Sequence, residues 1–219
     1  FHTLKLDLVG DYILHVGRGG GALCLRNRLD LQQYLQVEQE NGVLHISSTF
    51  PKEKSLIQQH PKIEIWVPDA PEGGAVLRLQ SIEVREHATV SLSEPLETNK
   101  LSLLIEKTGR ICLRHLQADS LNVQLLGGGS CEIQSGCVQH QNLFLSGQSG
   151  YFASHLKGKE VDAYLSGLAK AQVNAEIRLS AQIGGTGQLF YTGSPRIECQ
   201  HTMGRVIKLA DSTNGFSLN

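Results

Sequence analysis

The chain has 219 residues, which is enough to bury a substantial apolar core in one large domain or two small ones. Its 20 lysines and arginines nearly balance its 21 aspartates and glutamates, and no run of like charge stands out. Because phosphate binding needs a clustered basic face, we expect no nucleic-acid partner.

No apolar segment reaches the roughly 18 residues of a membrane-spanning helix, so no transmembrane segment is predicted. The sequence carries no signal peptide, but it begins at Phe1 and its single methionine is Met203. We therefore expect that any targeting signal has been trimmed from the N-terminus.

The first 75 residues are predicted to form an irregular β section that is continuous with the following solenoid but does not share its repeat. Apolar and polar side chains alternate along residues 4–8 and again along residues 63–67. Asn41-Gly42 lies between two alternating runs, which is a strong signal for a β-hairpin. We interpret the turn-rich residues 69–74 as the junction between this section and the following coils.

A repeat of about 20 residues predicts stacked coils over residues 76–209, followed by a tail over residues 210–219. The triplet Leu-Ser-Gly occurs at residues 145–147 and again at 165–167. Stepping along the chain by about one period gives an aliphatic column of Val84, Ile105, Leu125, Leu145, Leu165 and Ile183. Apolar side chains also recur two residues before and six and eight residues after each position, which is typical of strands with one buried face.

Glycines cluster two to four residues after most positions of the column, as a sharp corner between strands requires. A less regular third apolar side comprises Leu96, Leu116, Cys137, Leu156 and Ile177. Periods of this length are typical of solenoids. Two strands and a third side per turn favour an all-β parallel β-helix over a leucine-rich repeat, whose fixed Asn or Cys position is missing here.

Several segments together resemble the auto-transporter adhesin head domain family, also called the head GIN domain. They are the opening strand after Phe1, the hairpin at residues 41–46, the strand at 63–68, the Leu-Ser-Gly coils, and residues 183–187, 191–195 and 204–209. The similarity runs from Phe1 to about Leu209. It implies a right-handed β-helix in a bacterial cell-envelope or secreted protein, and it implies no characterised activity.

The five cysteines are odd in number and contain no CxxC pair; they are Cys24, Cys112, Cys131, Cys137 and Cys199. Cys131 and Cys137 fall in inward columns, where a thiol packs as a small apolar group. We therefore predict free, mostly buried thiols, with a Cys131–Cys137 bridge as the less favoured alternative.

Metal and cofactor sites are not predicted. His115 and His155 share a register two coils apart, so about 9 to 10 Å separates them, whereas zinc needs nitrogen ligands at about 2.0 to 2.1 Å. The glycine-rich residues 17–21 lack the following lysine and Ser or Thr of a phosphate-binding loop, so we interpret them as a turn.

Two functions of different classes fit this architecture. The outward columns one and three residues before the aliphatic column hold no pair of carboxylates on adjacent coils, as a glycosidase would need. We therefore expect a non-catalytic adhesin-like or scaffold module. The alternative is a polysaccharide-active β-helix enzyme, a lyase or hydrolase, which rests on analogy of fold. Clustered carboxylates with a basic partner on the outward columns would favour the enzyme, whereas rows of uncharged polar side chains would favour the module.

The candidate binding residues lie on the outward face of two adjacent coils. Phe144 and Tyr164 each precede a position of the aliphatic column, so they should lie side by side, about 4.8 Å apart. Asn142 and Asp162 lie two residues earlier and would add hydrogen-bonding groups. Exposed flat rings are a common platform for sugars or proteins, so we predict that these four residues bind a surface glycan or another protein. The alternative is that a loop or residues 211–219 cover the rings.

Overall fold

The fold comes from a computed structural model that describes residues 1–17, 22–26, 34–48, 62–68, 79–201 and 203–209. These residues form β-strands and contain no α-helix. The strands are β1 (Thr3–Leu6), β2 (Gly10–Gly17), β3 (Ala22–Arg26), β4 (Leu35–Glu40), β5 (Val43–Ser48), β6 (Lys62–Pro68), β7 (Ser81–Val84), β8 (Ala88–Leu92), β9 (Leu96–Ile105), β10 (Arg110–Leu113), β11 (Leu116–Gly127), β12 (Ser130–Ile133), β13 (Gly136–Gly147), β14 (Gly150–Gly167), β15 (Lys170–Gly185), β16 (Gln188–Thr192), β17 (Arg196–His201) and β18 (Arg205–Lys208). Parallel coils of about 20 residues stack into a β-solenoid of about six turns.

The inward column that the repeat predicts is confirmed residue by residue. Val84 pairs with Ile105, and the parallel register continues through four further aliphatic positions to Ile183. All six side chains are at most 2% exposed. Each coil therefore buries its apolar face by stacking on its neighbours, as a solenoid requires.

The N-terminal strands extend the same register, which the sequence did not indicate. Strand β1 pairs in parallel with β7, placing Leu6 opposite Val84, and β2 pairs with β8, placing Tyr12 opposite Val90. On its other side β1 pairs with β5, the second strand of an antiparallel hairpin with β4. That hairpin turns at Asn41-Gly42, both with positive φ, as predicted.

Three predicted segments lie wholly or mostly outside the described residues. They are the junction at residues 69–74, most of the glycine-rich turn at 17–21, and the tail at 210–219. The division of the chain into residues 1–75, 76–209 and 210–219 therefore stays a prediction.

The third apolar side differs from the prediction at two positions. The buried column runs through Leu116 and Leu156, but its member between them is Gly136, while the half-buried Cys137 lies one residue out of register. Ile177 is 56% exposed. The coil from Leu165 to Ile183 is two residues shorter than its predecessor, and the pairing of β14 with β15 shifts register twice, so counting forward from Leu165 overshoots.

The described residues include four buried polar side chains that the apolar columns did not predict: Glu64, Thr98, Gln141 and Ser149. Gln141 is fully buried between Leu121 and Val161. The hydroxyl of Tyr151 donates a 2.9 Å hydrogen bond to its Oε1, and burial raises the Tyr151 pKa well above its ordinary value. A Cβ at Gly158 would overlap the Gln141 amide nitrogen, so the glycine provides the space that this pair occupies.

The cysteines that the structure describes are free thiols: Cys112, Cys131, Cys137 and Cys199. The prediction of free thiols is confirmed for these four, whereas the side chain of Cys24 lies outside the described residues. Cys131 is fully buried, and burial raises its pKa. The inward position predicted for Cys137 was wrong, because Gly136 occupies the column.

We expect thiol titration of the denatured, unreduced protein to detect five free thiols. In the native protein Cys131 should react slowest, because it is inaccessible and its raised pKa lowers the reactive thiolate fraction. A Cys131→Ser variant should lack that slowest phase and keep the faster ones. A count of one free thiol in the wild-type protein would contradict the prediction.

Candidate functional site

The described part of the solenoid carries a groove of about 490 Å³ on the outward face of β9, β11, β13, β14 and β15. Because these strands pair in parallel and in register, side chains from five successive coils line the groove in rows. One row, three residues before the inward column, comprises Ser102, Asn122, Asn142, Asp162 and Ser180. The four residues predicted as a binding site all lie in this groove.

Phe144 and Tyr164 are register partners on β13 and β14, and they form the aromatic part of the groove. Their ring centroids are 5.0 Å apart and the ring planes differ by only 7°. The two residues are 43% and 39% exposed, respectively. Their inward neighbours Leu145 and Leu165 are fixed in the core column, so the strand backbone holds both rings on the outward face.

Asn142 and Asp162 lie directly opposite each other, two residues before the rings. The amide nitrogen of Asn142 donates a 3.0 Å hydrogen bond to Oδ1 of Asn122 on the adjacent coil. This pair leaves further amide donors and acceptors for a ligand, because each amide group can make more than one hydrogen bond.

The carboxylate of Asp162 is held by Arg178, which donates a hydrogen bond of 2.8 Å to each of its two oxygens. A third contact of 3.4 Å joins Arg178 to Glu160. The hydrogen bonds and charge of Asp162 raise the pKa of Arg178 above its ordinary value, and Glu160 contributes less. This bidentate pair fixes the orientation of Asp162 at the groove wall.

Sequence reasoning missed Arg178 and the two ends of the groove. Lys100 lies at one end, and Gln182 lies at the other. The sequence did contain a signal for Arg178. Arg178 and Glu160 each lie five residues before a position of the inward column, so the repeat places them side by side on adjacent coils. The ends could not be assigned, because a row of Ser and Gln side chains is also typical of an ordinary solvated strand face.

Residues 211–219, which could cover the rings, lie outside the described residues. Within the described part of the chain, the rings face open solvent. The ligand-binding role of Phe144, Tyr164, Asn142 and Asp162 stays a prediction.

A second groove of about 560 Å³ lies at the corner between strands, on a different set of rows. Phe152 and Leu168 line it and are 39% and 55% exposed, and Lys170 adds a positive charge.

Among the described residues no three His, Cys, Asp or Glu side chains come together as a metal site requires. The same residues include no helix that is long and apolar enough to cross a membrane.

Solved structures share this fold over nearly the whole chain. A structure named as a "putative adhesin" from Bacteroides fragilis has a TM-score of 0.83 and 24% identity, covering 95% of this chain and 91% of its own. A "putative adhesin" from Parabacteroides distasonis has a TM-score of 0.73 and 18% identity, covering 95% and 92%. A "putative lipid binding protein" from the same species has a TM-score of 0.72 and 19% identity, covering 96% and 93%. At these identities the similarity establishes the fold.

The sequence itself identifies a family. No curated protein matches the chain significantly. The family described as "Putative auto-transporter adhesin, head GIN domain" matches residues 24–195, which is well over half of the sequence. The stacked coils and in-register Leu-Ser-Gly corners are the structural counterpart of that match, and the chain belongs to the auto-transporter adhesin head GIN domain family.

Proposed function

We propose that the chain is a non-catalytic, adhesin-like module of the bacterial cell surface or envelope that binds a glycan in the groove around Phe144 and Tyr164. The observation that carries the proposal is the pair of parallel, stacked rings, both partly exposed to solvent, with hydrogen-bonding side chains beside them. Flat aromatic surface contacts the apolar face of a sugar ring, while amides and carboxylates bind its hydroxyl groups.

The spacing of the groove favours a glycan over an extended peptide. Its rows repeat once per coil, about 4.8 Å apart. An extended peptide presents side chains on one face only every second residue, about 6.6 Å apart, so it would lose register with the rows after one or two coils. A pyranose unit in an extended chain advances by nearly one coil spacing, so sugars can keep register with the rows.

The charges of the groove support binding without catalysis. Asp162 is the one carboxylate among the described residues that line the groove, and Arg178 already binds both of its oxygens. Hydrolysis of a glycosidic bond ordinarily requires two carboxyl groups on either side of the bond. Glu160 is engaged by the same arginine and lies 3.5 Å from His140. Glu160, Asp162 and Arg178 do place two carboxylates beside a basic group, but only Asp162 lines the groove. Binding therefore accounts for the groove better than glycoside hydrolysis does.

A surface or envelope location is supported by the family description and by the structural neighbours that carry the name adhesin. An adhesin needs an exposed, rigid contact surface on a scaffold that does not rearrange. The stacked coils supply one, because each groove residue lies on a strand that is paired on both sides.

The proposal is tested by screening the protein against an array of surface glycans. The double variant Phe144→Ala/Tyr164→Ala should lose at least about tenfold in affinity for every glycan that the wild type binds, because both stacking surfaces are removed. Its melting temperature should change little, since the rings contribute no buried core.

The matched control is Phe152→Ala, which removes a ring of similar exposure from the corner groove. It should leave glycan binding unchanged. Binding that survives the double variant, or that depends equally on Phe152, would remove Phe144 and Tyr164 as the site. No binding to any glycan on the array would contradict the proposed function itself.

A further inference from the structure

We infer that the groove binds a linear, extended glycan of about four sugar units that lies parallel to the solenoid axis, with its two central sugars near Phe144 and Tyr164. This inference rests on the proposed function and specifies the size and direction of its ligand. A site for a single terminal sugar would need only the two rings and their immediate neighbours.

The length of the groove is the first observation. Side chains from five successive coils line it, beginning with Lys100 and Ser102 on β9 and ending with Ser180 and Gln182 on β15. At about 4.8 Å per coil, the four steps between these coils span about 19 Å. The long dimension of the groove therefore runs across the strands, along the axis of stacking.

The repetition of polar groups is the second observation. Ser102, Asn122, Asn142, Asp162 and Ser180 form one continuous row, so each coil presents one hydroxyl, amide or carboxylate group to the groove. Each unit of an extended β-(1→4)-linked chain advances by about one coil spacing, and every unit presents hydroxyl groups along its edge although alternate units are turned over. A continuous row of hydrogen-bonding groups can therefore contact successive units of such a chain.

The position of the rings within the row is the third observation. Phe144 and Tyr164 belong to the third and fourth of the five coils. Polar side chains continue past the rings by two coils toward Lys100 and by one coil toward Gln182. Sugars beyond the stacked pair would therefore still find hydrogen-bonding partners on both sides.

Lys100 is the informative end of the groove. It is exposed, and the structure shows no ion pair for it among the described residues. Its ammonium group can donate up to three hydrogen bonds to hydroxyl or ring oxygens. Because it lies two coils from Phe144, only an oligomer that extends beyond the stacked sugars can reach it.

The experiment is a calorimetric titration with β-(1→4)-linked glucose oligomers of increasing length, from the monomer to the hexamer, and with the corresponding N-acetylglucosamine series. In at least one series the affinity should rise with each added sugar up to about four units and then level off, with the dimer at least about tenfold weaker than the tetramer. Affinity that is already maximal for the monomer or dimer, or no binding in either series, would overturn the inference.

End variants separate a long ligand from a short one. Lys100→Ala should weaken binding of the hexamer several-fold and leave binding of the dimer unchanged. Lys170→Ala, which removes an exposed lysine from the corner groove, is the matched control and should change neither. Equal effects of Lys100→Ala on dimer and hexamer would contradict an extended ligand.

The failures of the two proposals are distinguishable. If glycans on the array bind through Phe144 and Tyr164 without any dependence on length, the proposed function stands and the extended ligand is wrong. If the array shows no binding, both proposals fall.

Discussion

Replacing Leu125 by aspartate should lower the melting temperature by about 10 °C or more, whereas the same replacement at the adjacent Gln124 should change it little. Leu125 lies fully buried in the inward column, between Ile105 and Leu145. The variant loses the packing of a leucine, which costs about 2 to 5 kcal/mol, and it places an unpaired carboxylate in an apolar core at additional cost.

The effect should spread to neighbouring coils, because each coil of a solenoid is stabilised mainly by the coils above and below it. Gln124 is the matched control, since it is the adjacent residue in the same strand and its side chain is exposed on the outward face. Thermal unfolding followed by circular dichroism measures both variants. Equal melting temperatures would mean that the alternation of inward and outward side chains in β11 is wrong.

The second large effect is expected at Gly136. Its φ of +128° is a conformation that side chains rarely adopt. A Cβ there would overlap the carbonyl oxygen of Leu116 and lie 2.7 Å from the carbonyl carbon. Leu116 is its partner in the parallel ladder, so its backbone cannot move away without breaking that pairing. Gly136→Ala should therefore cost about 3 kcal/mol or more.

Gly184→Ala is the matched control, because Gly184 also lies in a strand. The heavy atom nearest to a Cβ added there is the carbonyl oxygen of Leu165, at 3.9 Å. This variant should remain within about 1 kcal/mol of wild type. Chemical denaturation of the two variants measures the difference. A Gly136→Ala protein as stable as the Gly184→Ala protein would contradict the close approach of β11 and β13.

The columns from Val84 to Ile183 were predictable because stacking forces each inward side chain to meet its counterpart one period later. That constraint acts directly on sequence, so a period of about 20 residues and its apolar positions are visible without a structure. It fails where the period changes. The coil that contains Ile177 is two residues shorter than the one before, and a fixed count cannot detect which residues were lost.

The register that the N-terminal strands share with the solenoid was missed for a different reason. Strands β1 and β7 are adjacent in the solenoid, but Leu6 and its partner Val84 lie far apart in the chain. A periodicity search compares positions at a constant separation, so it cannot recognise a coil interrupted by the β4–β5 hairpin. Gln141 was unexpected because a polar residue in an inward column requires a specific partner, Tyr151, that lies on a different strand.

The aromatic pair of the candidate site could be predicted because outward residues on adjacent coils inherit the register of the core. Phe144 and Tyr164 each precede a leucine of the inward column, so their proximity follows from the repeat. The dimensions of the groove did not follow, because they depend on how five strands curve relative to each other. The orientation of Asp162 depends on Arg178, whose partners are chosen by side-chain geometry.

The most direct test of glycan binding at Phe144 and Tyr164 is the aromatic NMR spectrum of the protein during titration with the β-(1→4)-linked glucose hexamer. The chain contains six phenylalanines, five tyrosines and one tryptophan, so the ring signals can be assigned individually. The ring signals of Phe144 and Tyr164 should shift with increasing hexamer, while those of Phe152 and Trp66 should stay in place. Shifts confined to Phe152 or Trp66, or signals of Phe144 and Tyr164 that stay unchanged with both this hexamer and the N-acetylglucosamine hexamer, would contradict binding in this groove.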